Sequence, residues 1–198
     1  MKVFLYKQIG DYLIPSEDGE VIVVVDNFTV KAYRRGTSEE LKNIKFKLLG
    51  EEFKYLNKIK ELKGLVGTEI DENYALAFPD LRTRILKLNQ IIGFLFEEYV
   101  YTTLSKYFKV ERQKEIYVPT KLFHVHNKPD FIVEGKIAIE AKTGDYNYAQ
   151  ILDYEMKYPL GAIVFPYSGI CKVKRWRCFF NFIKDHQRVI NWIRYLLG

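Results

Sequence analysis

KPDFIVEGKIAIEAK, residues 128–142, carries the pattern on which the fold turns. Two short apolar runs, FIV and IAI, flank Glu134-Gly135, and a turn-forming pair between two such runs is a hairpin signal. Side chains along a strand alternate faces with a period of two. Ile137, Ile139 and Ala141 therefore point one way, and Ala138, Glu140 and Lys142 the other. On the preceding strand Phe131 and Val133 share one face, and Asp130 shares the other with Ile132. If the two strands pair, Asp130 and Glu140 converge, with Lys142 near the strand end on the same face. Two carboxylates from adjacent strands make a hard, all-oxygen site suited to Mg²⁺. A cation there polarises a phosphoryl oxygen and lowers the pKa of a bound water. Lys142 would position or deprotonate that water, or neutralise charge developing on the phosphorus oxygens. On an isolated Asp and Glu-x-Lys alone, a surface ion pair is the favoured reading. Against that, Asp130 and Glu140 sit inside otherwise apolar strands, where an uncompensated charge is costly.

Working outward, residues 146–158 read as a helix with Ala149, Leu152 and Met156 as its apolar face, closed by Pro159. LGAIVFPY (160–167) reads as a short, fully apolar strand. The last segment places Phe179, Phe182, Ile183, Val189, Ile190, Ile193 and Leu197 at helical spacing, with His186 as a satisfied packing residue within that stripe. Upstream, YFKVERQKEIYV (107–118) is a strand candidate. Before it a long helix opens with Pro79 in its first turn. Gly93 is the helix-weakening residue within it, at about 1 kcal/mol relative to alanine, and such a glycine often marks a close backbone approach. From residue 80 the order is helix, three strands, helix, strand, helix, for which a mixed sheet flanked by helices is the expected packing. The first third reads as a β-hairpin turning at Asp26-Asn27, then a helix over 51–65 with Phe53, Leu56, Ile59 and Leu62 inward and Gly64 and Gly67 as its stop. It carries no chemical motif, and suits an accessory subdomain, an oligomerisation surface or a substrate-binding wall.

Composition bounds these readings. The chain has 198 residues, 48% hydrophobic and 28% charged, which excludes wholesale disorder and a disulfide-dense scaffold. The longest aliphatic run, residues 21–25, falls far short of the ~20 residues of a membrane helix. With no secretory signal in its opening residues, the expectation is an intracellular, cytoplasmic protein without a membrane partner. The net charge is +6, and residues 172–198 alone hold seven basic residues against Asp185. Within KVKRWRCFFNF (172–182), Lys172, Lys174, Arg175 and Arg177 can neutralise phosphates and Trp176 can stack on a base. The rival reading is a C-terminal helix docked by its apolar stripe, with solvated basic flanks. Cys171 and Cys178 are too few for a disulfide framework and read as two small, partly buried thiols. His124 and His126 read as polar loop residues.

Pro129-Asp130, nine intervening residues, then Glu140-Ala141-Lys142 resembles the signature of the PD-(D/E)XK nuclease superfamily. Gly93-Phe-Leu-Phe-Glu97 resembles the G-x-x-x-E helix motif of many members, and Gln150-Ile-Leu-Asp-Tyr154 matches the Q-x-x-x-Y motif of the RecB-like branch. That branch includes lambda-exonuclease-like enzymes and the CRISPR-associated RecB-like exonucleases, and a Lys- and Tyr-rich composition is compatible with an archaeal or archaeal-virus member. The likeness spans roughly residues 85–170. It implies a restriction-endonuclease-like α/β core over 79–198, a central mixed sheet flanked by helices, with 1–78 as an extension of β-hairpin plus helix. It implies that Asp130 and Glu140 bind Mg²⁺ (Mn²⁺ substituting), with the Ala141 carbonyl as a further ligand and Glu97 completing the shell directly or through water. Lys142 would be catalytic, and Gln150 and Tyr154, four apart on one helix face, would orient it or touch substrate phosphate. Glu97 is preferred to Glu98 because it shares its face with Gly93, Val100 and Leu104. No cysteine precedes Cys171, which argues against the iron–sulfur cluster of some members. The implied activity is hydrolysis of DNA phosphodiester bonds, tilted towards exonuclease or single-strand cleavage, in a monomer or homo-oligomer. The rivals are a non-catalytic DNA-binding module on the same fold and a structure-selective junction resolvase.

Overall fold

The computed structural model describes residues 1–112 and 128–198. His124, His126 and residues 113–118 of the expected strand lie outside the described residues. No described helix is long and apolar enough to cross a membrane. The chain divides into two compact units at Ile92/Gly93.

In the first unit β1 (Lys2–Ile9) and β2 (Tyr12–Pro15) form one hairpin, β3 (Val21–Asp26) and β4 (Thr29–Arg34) a second, and β5 (Glu40–Leu41) and β6 (Lys45–Phe46) are short edges. The order is β5-β4-β3-β1-β2-β6. The two edge strands sit at opposite ends of that order, yet residues 42–44 alone join them. So short a connection spans at most about 14 Å, so the sheet must curl until its edges nearly meet. Strict alternation fills the concave side: Val21, Val23 and Val25 are buried, together with Tyr6, Leu13, Ala32 and Phe46. The β3–β4 turn forms at Asn27 and Phe28, both at positive φ, next to the expected Asp26-Asn27 pair. α1 (Glu52–Val66) and α2 (Asn73–Leu76) complete this core, with α1 ending at Gly67 in the left-handed conformation.

The expected hairpin and helix are thus β3–β4 and α1, but the region is a six-stranded sheet. β1 is hard to see in the sequence because, of its residues, Tyr6 alone is fully buried, so no alternation shows. On α1, Phe53 is exposed, not inward, and Glu52 is buried in its stead. The Glu52 carboxylate accepts the Leu49 and Gly50 N–H groups at 2.9 and 2.7 Å and pairs with Arg84 at 3.1 Å.

α3 (Leu81–Leu104) begins in the first unit and ends in the second. Its start is set by Asp80, whose carboxylate accepts the Thr83 N–H at 2.8 Å; Pro79 stands before this cap, not in the first turn. The division into units falls inside α3 because Arg84 belongs to the first core, bonded to the Phe78 and Lys47 carbonyls and to Glu52. A Cβ at Gly93 would meet nothing within 4 Å. Among the described residues, then, this glycine marks no close backbone approach.

The second unit holds β7 (Val110–Arg112), β8 (Phe131–Val133), β9 (Ile137–Ala141), α4 (Tyr148–Lys157), β10 (Gly161–Val164), β11 (Arg177–Phe179), α5 (Phe182–Asp185) and α6 (Gln187–Leu197). The order is β11-β10-β9-β8-β7. β7, β8 and β9 run antiparallel, and β9, β10 and β11 parallel. This is the expected mixed sheet flanked by helices. The β8–β9 hairpin turns at Glu134 and Gly135, both at positive φ. On one face Phe131 stacks with Tyr101 of α3. On the other, Ala138 and Ile163 pack with Ile151 and Tyr154 of α4, Phe165 and Trp176.

The C-terminal stripe is shorter than its sequence spacing suggests. Phe179 lies on β11, Leu197 is exposed, and Phe182, Val189, Ile190 and Ile193 carry the packing. His186 packs against Phe182, and among the described residues its buried Nδ1 has no hydrogen-bond partner.

Candidate active site

The β8–β9 register pairs Phe131 with Ile139 and Ile132 with Ala138. Continuing it by one residue sets Asp130 opposite Glu140. At that step the side chains bridge the strands. The Asp130 N–H donates to Glu140 Oε2 at 3.0 Å, and the Ala141 N–H donates to Asp130 Oδ2 at 2.8 Å. Lys142 Nζ reaches Glu140 Oε1 at 2.7 Å, with the glutamate side chain 3% and the lysine 24% exposed. The aspartate, glutamate and lysine singled out in the sequence therefore meet at one end of the hairpin.

Among the described residues their charges do not balance. Two carboxylates share one ammonium, and Glu97 on α3 adds to the negative field felt by both Asp130 and Lys142. Burial pushes the Asp130 carboxyl well above its ordinary range; Glu140 and Glu97 push it further, and Lys142 and the Ala141 N–H offset this only in part. Burial alone would lower the Lys142 ammonium, but Glu140 and Asp130 outweigh it and hold its pKa above the ordinary lysine value. Glu98, the next residue, is ion-paired to Arg112, whose guanidinium also lies 4.6 Å from the Tyr101 ring.

α4 starts where the Asn147 side chain accepts the Ala149 N–H at 3.0 Å. Gln150 Nε2 donates to the Tyr154 hydroxyl at 2.9 Å, so the Q-x-x-x-Y pair is joined on the helix face that meets the sheet. Tyr154 is 1% exposed and stacks on Trp176. The inward face is Ile151, Tyr154 and Glu155. The expected apolar face is wrong: Met156 is 79% exposed and Ala149 is exposed.

Glu155 was not apparent as a structural residue in the sequence. Its buried carboxylate accepts three successive backbone N–H groups, from Lys174 (2.9 Å), Arg175 (2.7 Å) and Trp176 (2.8 Å). A carboxylate on a helix is ordinarily solvated, and its partners here lie some twenty residues on, so no local signal announces it. With their N–H groups turned in to Glu155, Lys174 and Arg175 point their side chains out, and Lys172 and Arg177 are exposed beside them. The four basic residues thus form an outward rim, though on a loop and on β11, not on the C-terminal helix. Trp176 is not free to stack on a base. It is 4% exposed, its indole N–H donates to the Tyr158 carbonyl at 2.8 Å, and it lies so close to Gly161 that a Cβ there would overlap it at 2.3 Å. Cys171 and Cys178 are not thiols: they form a disulfide across this loop.

Among the described residues no three His, Cys, Asp or Glu side chains are grouped so as to hold a metal ion by themselves. The donors that do converge, Asp130 and Glu140, are both carboxylates, and their surplus negative charge has no protein cation beyond Lys142 among the described partners. That donor chemistry fits a hard divalent cation. Glu97 and the Ala141 carbonyl are the further oxygens on the adjoining elements. Comparison with protein families, curated proteins and solved structures finds no match to this chain.

Proposed function

We propose that the chain is a metal-dependent nuclease that hydrolyses DNA phosphodiester bonds, acting on ends or on single strands. The observation that carries this reading is the Asp130–Glu140–Lys142 cluster at the open end of a buried hairpin, where two carboxylates meet one lysine among the described residues. Asp130 and Glu140 would hold Mg²⁺ or Mn²⁺, helped by the Ala141 carbonyl and Glu97. The bound cation supplies polarisation of a phosphoryl oxygen and a water of lowered pKa. Lys142 would position or deprotonate the attacking water, or act as a positive charge beside the phosphate oxygens. Gln150 and Tyr154 are positioning residues on the helix that covers this sheet face. Lys172, Lys174, Arg175 and Arg177 supply sequence-independent phosphate contacts. The preference for ends or single strands rests on the Q-x-x-x-Y resemblance alone.

The test is a cleavage assay on labelled single-stranded, duplex and four-way-junction DNA with Mg²⁺, Mn²⁺ or EDTA. Cleavage is expected with either metal, none in EDTA, and loss in Asp130→Ala and Lys142→Ala proteins that remain folded. Retained activity in either variant contradicts the mechanism. Tight binding without cleavage under any metal would assign a non-catalytic module.

A further inference from the structure

The basic rim is held by two unlike halves. Residues 174–176 are fixed from beneath by the Glu155 carboxylate and by the buried Trp176. The other limb, residues 168–172, is largely exposed, with Ile170 92% exposed. It is tied down by the Cys171–Cys178 bridge and by Tyr146, whose hydroxyl donates to the Lys172 carbonyl at 2.7 Å and accepts the Lys172 N–H at 2.5 Å. The same hydroxyl lies 3.8 Å from Cys171 Sγ, and Lys172 Nζ lies 4.9 Å from the Tyr148 ring. Tyr146 stands in the connection from Lys142 to α4 and packs its ring 6.3 Å from that of Phe165. Both cysteines are partly exposed, within reach of a reductant.

We propose that the Cys171–Cys178 bridge is a redox clasp on the phosphate-binding rim, and that reducing it weakens nucleic-acid binding. The inference rests on the nuclease reading and adds its regulation. The reductant is a dithiol. One of its thiolates attacks a bridge sulfur, expelling a cysteine thiolate and forming a mixed disulfide. Its second sulfur displaces the other cysteine, the reductant closes as a cyclic disulfide, and two electrons and two protons have passed to Cys171 and Cys178. Limb 168–172 then loses its covalent tie, Lys172 leaves its place over Tyr148, and the rim acts with one phosphate contact fewer.

The experiment measures fluorescence anisotropy of labelled single-stranded and duplex oligonucleotides in EDTA, so that binding is read without cleavage. The full chain is used as oxidised, after dithiothreitol, and as the C171S/C178S variant, with thiols titrated in each state. Two thiols should appear only on reduction. The reduced protein and the double variant should bind equally, about tenfold more weakly than the oxidised one, with a salt slope shallower by about one contact. Equal affinity in all three states overturns the clasp and leaves the nuclease reading standing. Free thiols before reduction, or a bridge that resists the dithiol until the chain unfolds, also overturns it. If the oxidised protein binds neither oligonucleotide, the nucleic-acid reading itself fails. Should the double variant not fold, the reduced wild-type protein decides the matter.

Discussion

Two buried charge clusters, one in each unit, resolve the same physical problem in opposite ways. In the first, Glu52 and Arg84 are both fully buried and paired. Burial would raise the Glu52 carboxyl, but the Leu49 and Gly50 N–H groups and Arg84 more than offset it, and its pKa falls below the ordinary value. Arg84 in turn donates to the Phe78 and Lys47 carbonyls at 2.6 and 2.8 Å. In the second, Asp130 and Glu140 share Lys142 between them, and the Asp130 carboxyl is pushed up, not down. At 4 Å and an effective dielectric of 20, a pair of like charges repels by about 4 kcal/mol. A charge cluster that serves the fold is neutralised by its own partners. One left over-negative at the mouth of a hairpin is arranged for a charge that its described partners do not supply.

Asp130→Ala or Lys142→Ala should lower metal-dependent cleavage by about 10³-fold or more while leaving the far-ultraviolet circular dichroism unchanged. The same loss from Glu52→Gln would erase the distinction between the clusters. Arg84→Ala leaves Glu52 buried without its cation and should cost about 3–5 kcal/mol of stability in chemical denaturation; a cost within error of zero would show the pair is not structural. Glu155→Gln removes the charge that gathers three N–H groups and should cost about 1–3 kcal/mol, with weaker oligonucleotide binding as the rim loosens. Unchanged stability and binding would detach the rim from α4.

The smallest effect has the most telling sign. Asp130→Asn, measured in EDTA, should raise stability by roughly 1 kcal/mol, or about 2–4 °C in Tm for a chain of this size. Because the folded-state pKa of Asp130 is raised, its penalty is absent below the unfolded pKa, near 3.9, and grows as pH rises through the folded value. The gain from Asp130→Asn should therefore be largest at neutral and alkaline pH and vanish in acid. Glu52 has the opposite sign: its contribution is present above the unfolded pKa and is lost as pH falls through the lowered one.

What was legible in the sequence follows from how local each signal is. The β8–β9 hairpin, its turn at Glu134-Gly135 and the meeting of Asp130 with Glu140 need only period-two alternation and one turn, so the residues announce them. β1 does not show because its surroundings leave only Tyr6 buried. The outward Met156 and inward Glu155 reverse the face that apolar residues alone suggest on α4, because three backbone N–H groups from residues 174–176 make a buried carboxylate stable. Trp176 reads as a stacking residue beside four cations until Gly161 and Tyr158 give it a place in the core. The bridge between Cys171 and Cys178 depends on how residues 171–178 fold back, which no spacing rule supplies.

The most direct test is a calorimetric titration of the purified, metal-free chain with Mn²⁺ at neutral pH. The wild-type protein should bind the cation and Asp130→Asn and Glu140→Gln should not, while Glu52→Gln binds as the wild type does. Binding that persists in both hairpin variants, or a wild-type chain that takes up no cation even with DNA present, would contradict the account.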